Sequence, residues 1–95
     1  RKMGLLDNWG KVIQLIQALQ TRFKTHEERR PIMEAAGIQM RTYLKGAARP
    51  LGIRVLTRFV NGGDVCTEEP SAEALLFYLL VAHALVTRPA IFTGE

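Results

Sequence analysis

The sequence predicts an all-α fold: a compact four-helix domain whose C-terminal helix is strongly apolar and central. Three observations carry this. Leu5, Trp9, Val12, Ile16, Leu19 and Phe23 recur three or four residues apart, which is one apolar stripe on a helix. The segment Ala74 to Val86 is apolar throughout except for His83. Helix start and stop residues separate the apolar segments, and no stretch alternates apolar and polar with the period of two that a strand shows.

The first helix takes Asp7 or Asn8 as its cap, with Leu5 and Leu6 packing back onto its first turns. Ile13 and Leu15 widen its stripe, and Gly10 weakens its first turn and points to a later start. The stripe is either the core face of a bundle helix or a dimer seam; its length, under three heptads, favours the bundle.

Thr25-His26-Glu27-Glu28 has the spacing of a capping box. A second helix is expected from about Glu27 to Leu44 or Lys45, with Pro31 in its first turn, where proline is tolerated. Met33, Gly37, Met40 and Leu44 share one face, with Ile32, Ala36 and Tyr43 beside it. Ala35-Ala36-Gly37 is a patch of small residues where another helix, the central one, can come close.

Lys45 to Pro50 reads as a break, because Pro50 disfavours helix at Arg49 and Gly46 weakens the turn before it. Leu51, Val55 and Phe59 mark a third, shorter helix that stops at Asn61-Gly62-Gly63. Thr67 and Ser71 are rival caps for the last helix, which starts near Glu68 or Ala72 and ends near Thr87, with Pro89 as the stop. Its apolar run is too short for a bilayer, which takes about 20 residues. A helix apolar on every side belongs inside, with others around it; the alternative is one apolar face left for a partner.

Ninety-five residues make one domain, and the opening Arg1 suggests a domain cut from a longer chain, its C-terminal part. Residues 1–63 hold twelve Lys and Arg against four acids, net +8, while residues 64–95 are net −4. Such asymmetry steers acidic partners to the first two thirds, or reflects solvated helix faces. One cysteine, Cys66, excludes an internal disulfide and fits a reducing compartment.

Catalytic chemistry finds little support. Ser71 is the one serine and reads as a cap. Cys66 lies beside acidic residues, which raise a thiol pKa rather than lower it. His83 on the apolar helix reads as a core histidine, and His26, His83 and Cys66 are too few for a closed zinc site. Adjacent carboxylates, Glu27-Glu28 and Glu68-Glu69, diverge on a helix and suit its N-terminal dipole instead. No catalytic residue, cofactor or metal is expected. The remaining candidates are basic. Arg41, Lys45 and, if the helix continues, Arg49 fall at i, i+4 and i+8, and Arg54 and Arg58 repeat the offset on the third helix. If the two stripes face one way they form a patch for phosphates or an acidic protein; otherwise they are solvated faces. Only Tyr43 interleaves them, which is weak ground for base stacking.

The segment Val55-Leu56-Thr57-Arg58-Phe59-Val60-Asn61-Gly62-Gly63-Asp64-Val65-Cys66-Thr67-Glu68, the apolar helix after it and the ending Arg88-Pro89-Ala90-Ile91-Phe92-Thr93-Gly94-Glu95 resemble the C-terminal part of paramyxovirus C proteins, especially the henipavirus-like and morbillivirus-like ones. Those have a short amphipathic helix, a glycine turn with a nearby Cys or acidic cap, and a long apolar helix closed by proline. The likeness covers the last half of the chain; the first half matches only as a helix pattern. It implies a non-enzymatic accessory protein, read from a frame overlapping the phosphoprotein gene. Such proteins restrain viral RNA synthesis, blunt interferon induction or signalling, and in some members engage host ESCRT components during budding. The implied partners are viral polymerase components or host interferon-pathway and ESCRT proteins, in the host cytoplasm with the nucleus also open. From the residues alone, a basic nucleic-acid-binding helical module is the alternative.

Overall fold

In the computed structural model, which describes residues 8–65 and 70–93, α1 spans Trp9–Arg22, α2 His26–Tyr43, α3 Ala48–Val60, α4 Ala72–Thr87 and α5 Ala90–Thr93. The described residues contain no strand. Leu5, Leu6 and Asp7 lie outside the described residues, as do Cys66, Thr67, Glu68 and Glu69, so the expectations placed on them go untested.

The α1 stripe is spent inward. Trp9, Val12, Ile16 and Leu19 are all buried in one core with residues of every other helix, so this face is a bundle face and not a dimer seam. Asn8 holds the N-cap position, and the helix starts at Trp9, ahead of Gly10 rather than after it. The buried Trp9 indole anchors that first turn against the glycine's cost.

At α2 the capping box forms in full. The Glu28 backbone N–H donates to Thr25 Oγ1 at 3.1 Å, and the Thr25 N–H donates to Glu28 Oε1 at 3.0 Å. The bond from the Thr25 N–H, and a second from the Thr25 hydroxyl at 3.0 Å, favour the charged carboxylate and hold the Glu28 pKa below its ordinary value, the backbone bond foremost. The helix ends at Tyr43, with Leu44 as its C-cap, one or two residues short of the expected end. Gly46, at φ +61°, then turns the chain.

The third helix starts earlier than the proline suggests. Arg49 is helical because Pro50 sits in the first turn of α3, where no backbone donor is required of it. Gly52 fits α3 against α2: a Cβ there would lie 3.1 Å from both Met40 Sδ and Leu44 Cδ1. The end of α3 follows the expected glycine stop. Gly63 N donates to Arg58 O at 2.8 Å and Gly62 N to Phe59 O at 3.1 Å, with Gly62 at φ +87°, the paired bonds of a Schellman motif.

Ser71 is the cap of α4, accepting from Ala74 N at 3.1 Å, and the helix starts at Ala72. It packs against α1, α2 and α3 and is central in that sense; Ala35, Ala36 and Gly37 are buried on α2, but a Cβ on Gly37 would meet only Arg41 Nη1, at 3.7 Å, so α4 makes no close approach at that glycine. Phe77 meets Phe59 of α3 with ring centroids 4.8 Å apart. The cover is one-sided, however. Ala74, Phe77, Leu80, Val81 and Ala84 are buried, whereas Leu79, Leu85 and Val86 are exposed. Three neighbouring helices are too few to surround a fourth. Pro89 stops α4 and also begins the short turn α5, whose Phe92 returns to the core and meets Phe23 edge-on at 6.3 Å. That last turn has no counterpart in the sequence reading.

Candidate interaction surface

The five basic residues picked from the sequence fall into two groups. Arg41 and Arg49 meet at the corner between α2 and α3, where Arg49 Nη2 donates to Arg41 O at 2.9 Å. Lys45 lies just past the α2 C-cap at the same corner, so Arg41, Lys45 and Arg49 do not form one helical stripe. Arg54 and Arg58 share a different face of α3, since Arg49 is about 180° around the helix from Arg58. Both reach Glu73 in the first turn of α4. Arg58 Nη2 stands 2.7 and 3.1 Å from its two carboxylate oxygens, and Arg54 Nη1 stands 3.8 Å away. The two stripes therefore do not merge, and one of them is engaged by a carboxylate.

A further arginine, outside these five basic residues, matters more to the architecture. Arg29, only 6 % exposed, points into the bundle from the first turns of α2. It donates to three backbone carbonyls: Phe23 O at 2.6 Å, Phe59 O at 2.7 Å and Gln20 O at 3.2 Å. Its guanidinium also lies 4.7 Å from the Phe59 ring centroid. These carbonyls close α1 and α3, so one cation serves the negative ends of two helices. The sequence did carry a signal for it. Arg29, Ile32, Ala36 and Met40 follow helical spacing, so Arg29 lies on the apolar face of α2. Gln20 plays a related part between α1 and the segment that follows α3, accepting from Val65 N at 2.9 Å and donating to Asp64 Oδ1 at 3.2 Å.

The exposed side of α4 is the other feature. Leu79, Ala82, His83 and Val86 lie at i, i+3, i+4 and i+7, a full apolar stripe broken only by the imidazole. Val86 is 80 % exposed. His83 is exposed too, not a core histidine, because it falls on this uncovered side. Its Nδ1 is 2.9 Å from Leu79 O; a carbonyl only accepts, so a hydrogen bond here takes the Nδ1–H form of the ring. The ring lies 5.7 Å from that of Tyr43, itself 65 % exposed.

Shallow grooves run along both sides of this stripe. On the α2 side, Gln39, Tyr43, Leu44, Leu76, Leu79 and His83 line one of about 260 Å³. On the α1 side, Leu15, Leu19, Arg22, Val81, Leu85 and Phe92 line one of about 210 Å³. Both are mainly apolar; Gln39, Tyr43 and His83 bring polar groups to the first and Arg22 to the second. No grouping of His, Cys, Asp and Glu among the described residues suits a metal, and no helix among them is long and apolar enough to cross a membrane. The Ser71 hydroxyl is engaged in the α4 cap.

No family model, curated protein or solved structure matches the chain.

Proposed function

We propose that this domain is a non-enzymatic protein-binding module of the paramyxovirus C type. In this reading it binds viral or host proteins in the host cell, and so restrains viral RNA synthesis, antagonises interferon responses or recruits ESCRT components for budding. One observation carries the protein-binding part: the uncovered apolar side of α4, where Leu79 and Val86 on the stripe and Leu85 beside it are left in solvent. Apolar residues left exposed together along one helix face are what a protein-interaction site presents. The sequence resemblance supports the viral part.

The nucleic-acid reading draws its support from the corner of Arg41, Lys45 and Arg49. It loses support at Arg54 and Arg58, which Glu73 engages. The two readings separate in cells that carry a viral RNA-synthesis reporter and an interferon-response reporter. Leu79→Glu with Val86→Glu is expected to abolish the effect on whichever reporter the parent chain moves, at equal protein level. Charge reversal of Arg41, Lys45 and Arg49 is expected to leave it. The opposite pattern would overturn the protein-binding reading in favour of the basic corner.

A further inference from the structure

We infer that the groove between α1 and α4, closed at its end by α5, takes an acidic amphipathic helix from a partner protein; this rests on the protein-binding reading above. The size of the groove argues against a small-molecule ligand. At about 210 Å³ it falls below the range of roughly 300–1,000 Å³ usual for small-molecule sites, and it suits a few side chains of a docked peptide. Its walls are two helices and a helical turn, with no strand edge for an extended peptide to pair with. A third helix presenting apolar residues at i, i+3, i+4 and i+7 is what such a trough accepts.

Charge selects the acidic kind. Leu15, Leu19, Val81, Leu85 and Phe92 make the floor, and Arg22 stands at the rim with its guanidinium 5.3 Å from the Phe23 ring centroid. Lys11, Leu15, Ala18 and Arg22 follow at i, i+4, i+7 and i+11, so Lys11 falls on the same face of α1 one turn before the groove begins at Leu15, and Arg22 lines its other end. Arg88 follows the end of α4 and is exposed. Neither α1 nor α5 contains a carboxylate, and the one on α4, Glu73, is at the opposite end of that helix and paired with Arg54 and Arg58. The carbonyls closing α1 do not repel an anion strongly either, because Arg29 already holds Gln20 O and Phe23 O. A helix with leucines toward the floor and glutamates toward Lys11 and Arg22 meets both features.

Titration of the isotope-labelled chain by NMR with two synthetic helical peptides tests this. Both carry leucines at i, i+3, i+4 and i+7; one has glutamates on its flanks and the other lysines. The glutamate peptide is expected to bind more tightly, to weaken as salt rises, and to shift resonances from Leu15 to Phe23 and from Val81 to Phe92. Arg22→Glu is expected to weaken it about three- to fivefold, as for one exposed ion pair, and to strengthen the lysine peptide. Equal affinities for the two peptides would overturn the inference, as would binding of neither. Shifts confined to Tyr43, Leu79 and His83 would overturn the choice of groove but leave the protein-binding reading standing. A self-associated species in sedimentation that buries Leu85 would replace the partner helix by a second copy of this chain. The protein-binding reading fails separately, if Leu79→Glu with Val86→Glu leaves the cellular activity intact.

Discussion

Replacing Arg29 by Met tests how the helix ends are held together. Methionine keeps much of the aliphatic volume and removes the charge and all three donors. The loss is larger than one hydrogen bond, because Arg29 binds carbonyls at the ends of two helices. Hydrogen bonds to a charged group contribute about 1.5–3 kcal/mol each, but three from one guanidinium do not add in full. Phe59 O also keeps a partner in Gly62 N, whereas Phe23 O and Gln20 O lose their arginine. Removing the cost of burying the cation returns part of the loss. The net expectation is about 3–4 kcal/mol of destabilisation. Against a total stability of roughly 5–15 kcal/mol for a domain, that is a large fraction. Urea unfolding followed by circular dichroism measures it. The midpoint should fall with little change in slope, and the thermal midpoint should drop by about 15 °C or more. Arg29→Lys should recover only a minority of the loss, because a single ammonium lacks the planar fork that spans three carbonyls. A change below about 1 kcal/mol for Arg29→Met would refute the clamp.

Two further perturbations follow from the same geometry. Thr25→Ala removes one side of the α2 capping box and is expected to cost about 1 kcal/mol in thermal or chemical denaturation. In the folded parent the Glu28 pKa is lowered, so its stabilising share is present above the unfolded-state carboxylate range and is lost as pH falls through the depressed value. The variant should therefore show a Glu28 pKa closer to normal by NMR titration and a shallower loss of stability in acid. Glu73→Gln should change stability by no more than about 1 kcal/mol, since its pairs are partly solvated. It also releases Arg54 and Arg58, so the salt needed to elute the chain from immobilised heparin should rise.

Much of the fold was legible because it depends on local chemistry. Thr25 and Glu28 announce a capping box, Gly62 and Gly63 announce a helix stop, and the stripe of α1 announces a buried face. Each depends on residues close in sequence. Where the outcome depends on how helices meet, the sequence carried less. Arg29 sits on an apolar face, but that two helices would aim their last carbonyls at it depends on tertiary packing. Pro50 reads as part of a break, whereas α3 starts at Ala48 and takes Pro50 into its first turn, where its missing N–H costs nothing. The basic residues illustrate the same limit. Arg54 and Arg58 share a face by spacing alone, yet their engagement by Glu73 depends on where α4 starts. For α4 the difficulty was different. A uniformly apolar helix has no pattern to tell its covered side from its bare one, so the exposure of Leu79, His83 and Val86 became visible only with the neighbouring helices in place.

The central claim is that the outer side of α4 is where partners bind. The most direct measurement is alkylation of single cysteines in the free chain and in complexes isolated from cells, in a background where Cys66 is Ser. Val86→Cys reports on the α4 stripe and Lys45→Cys on the basic corner. The account predicts that both react rapidly in the free chain and that only the α4 site is protected in complexes. Protection at Lys45 with unchanged reactivity at Val86 would contradict it.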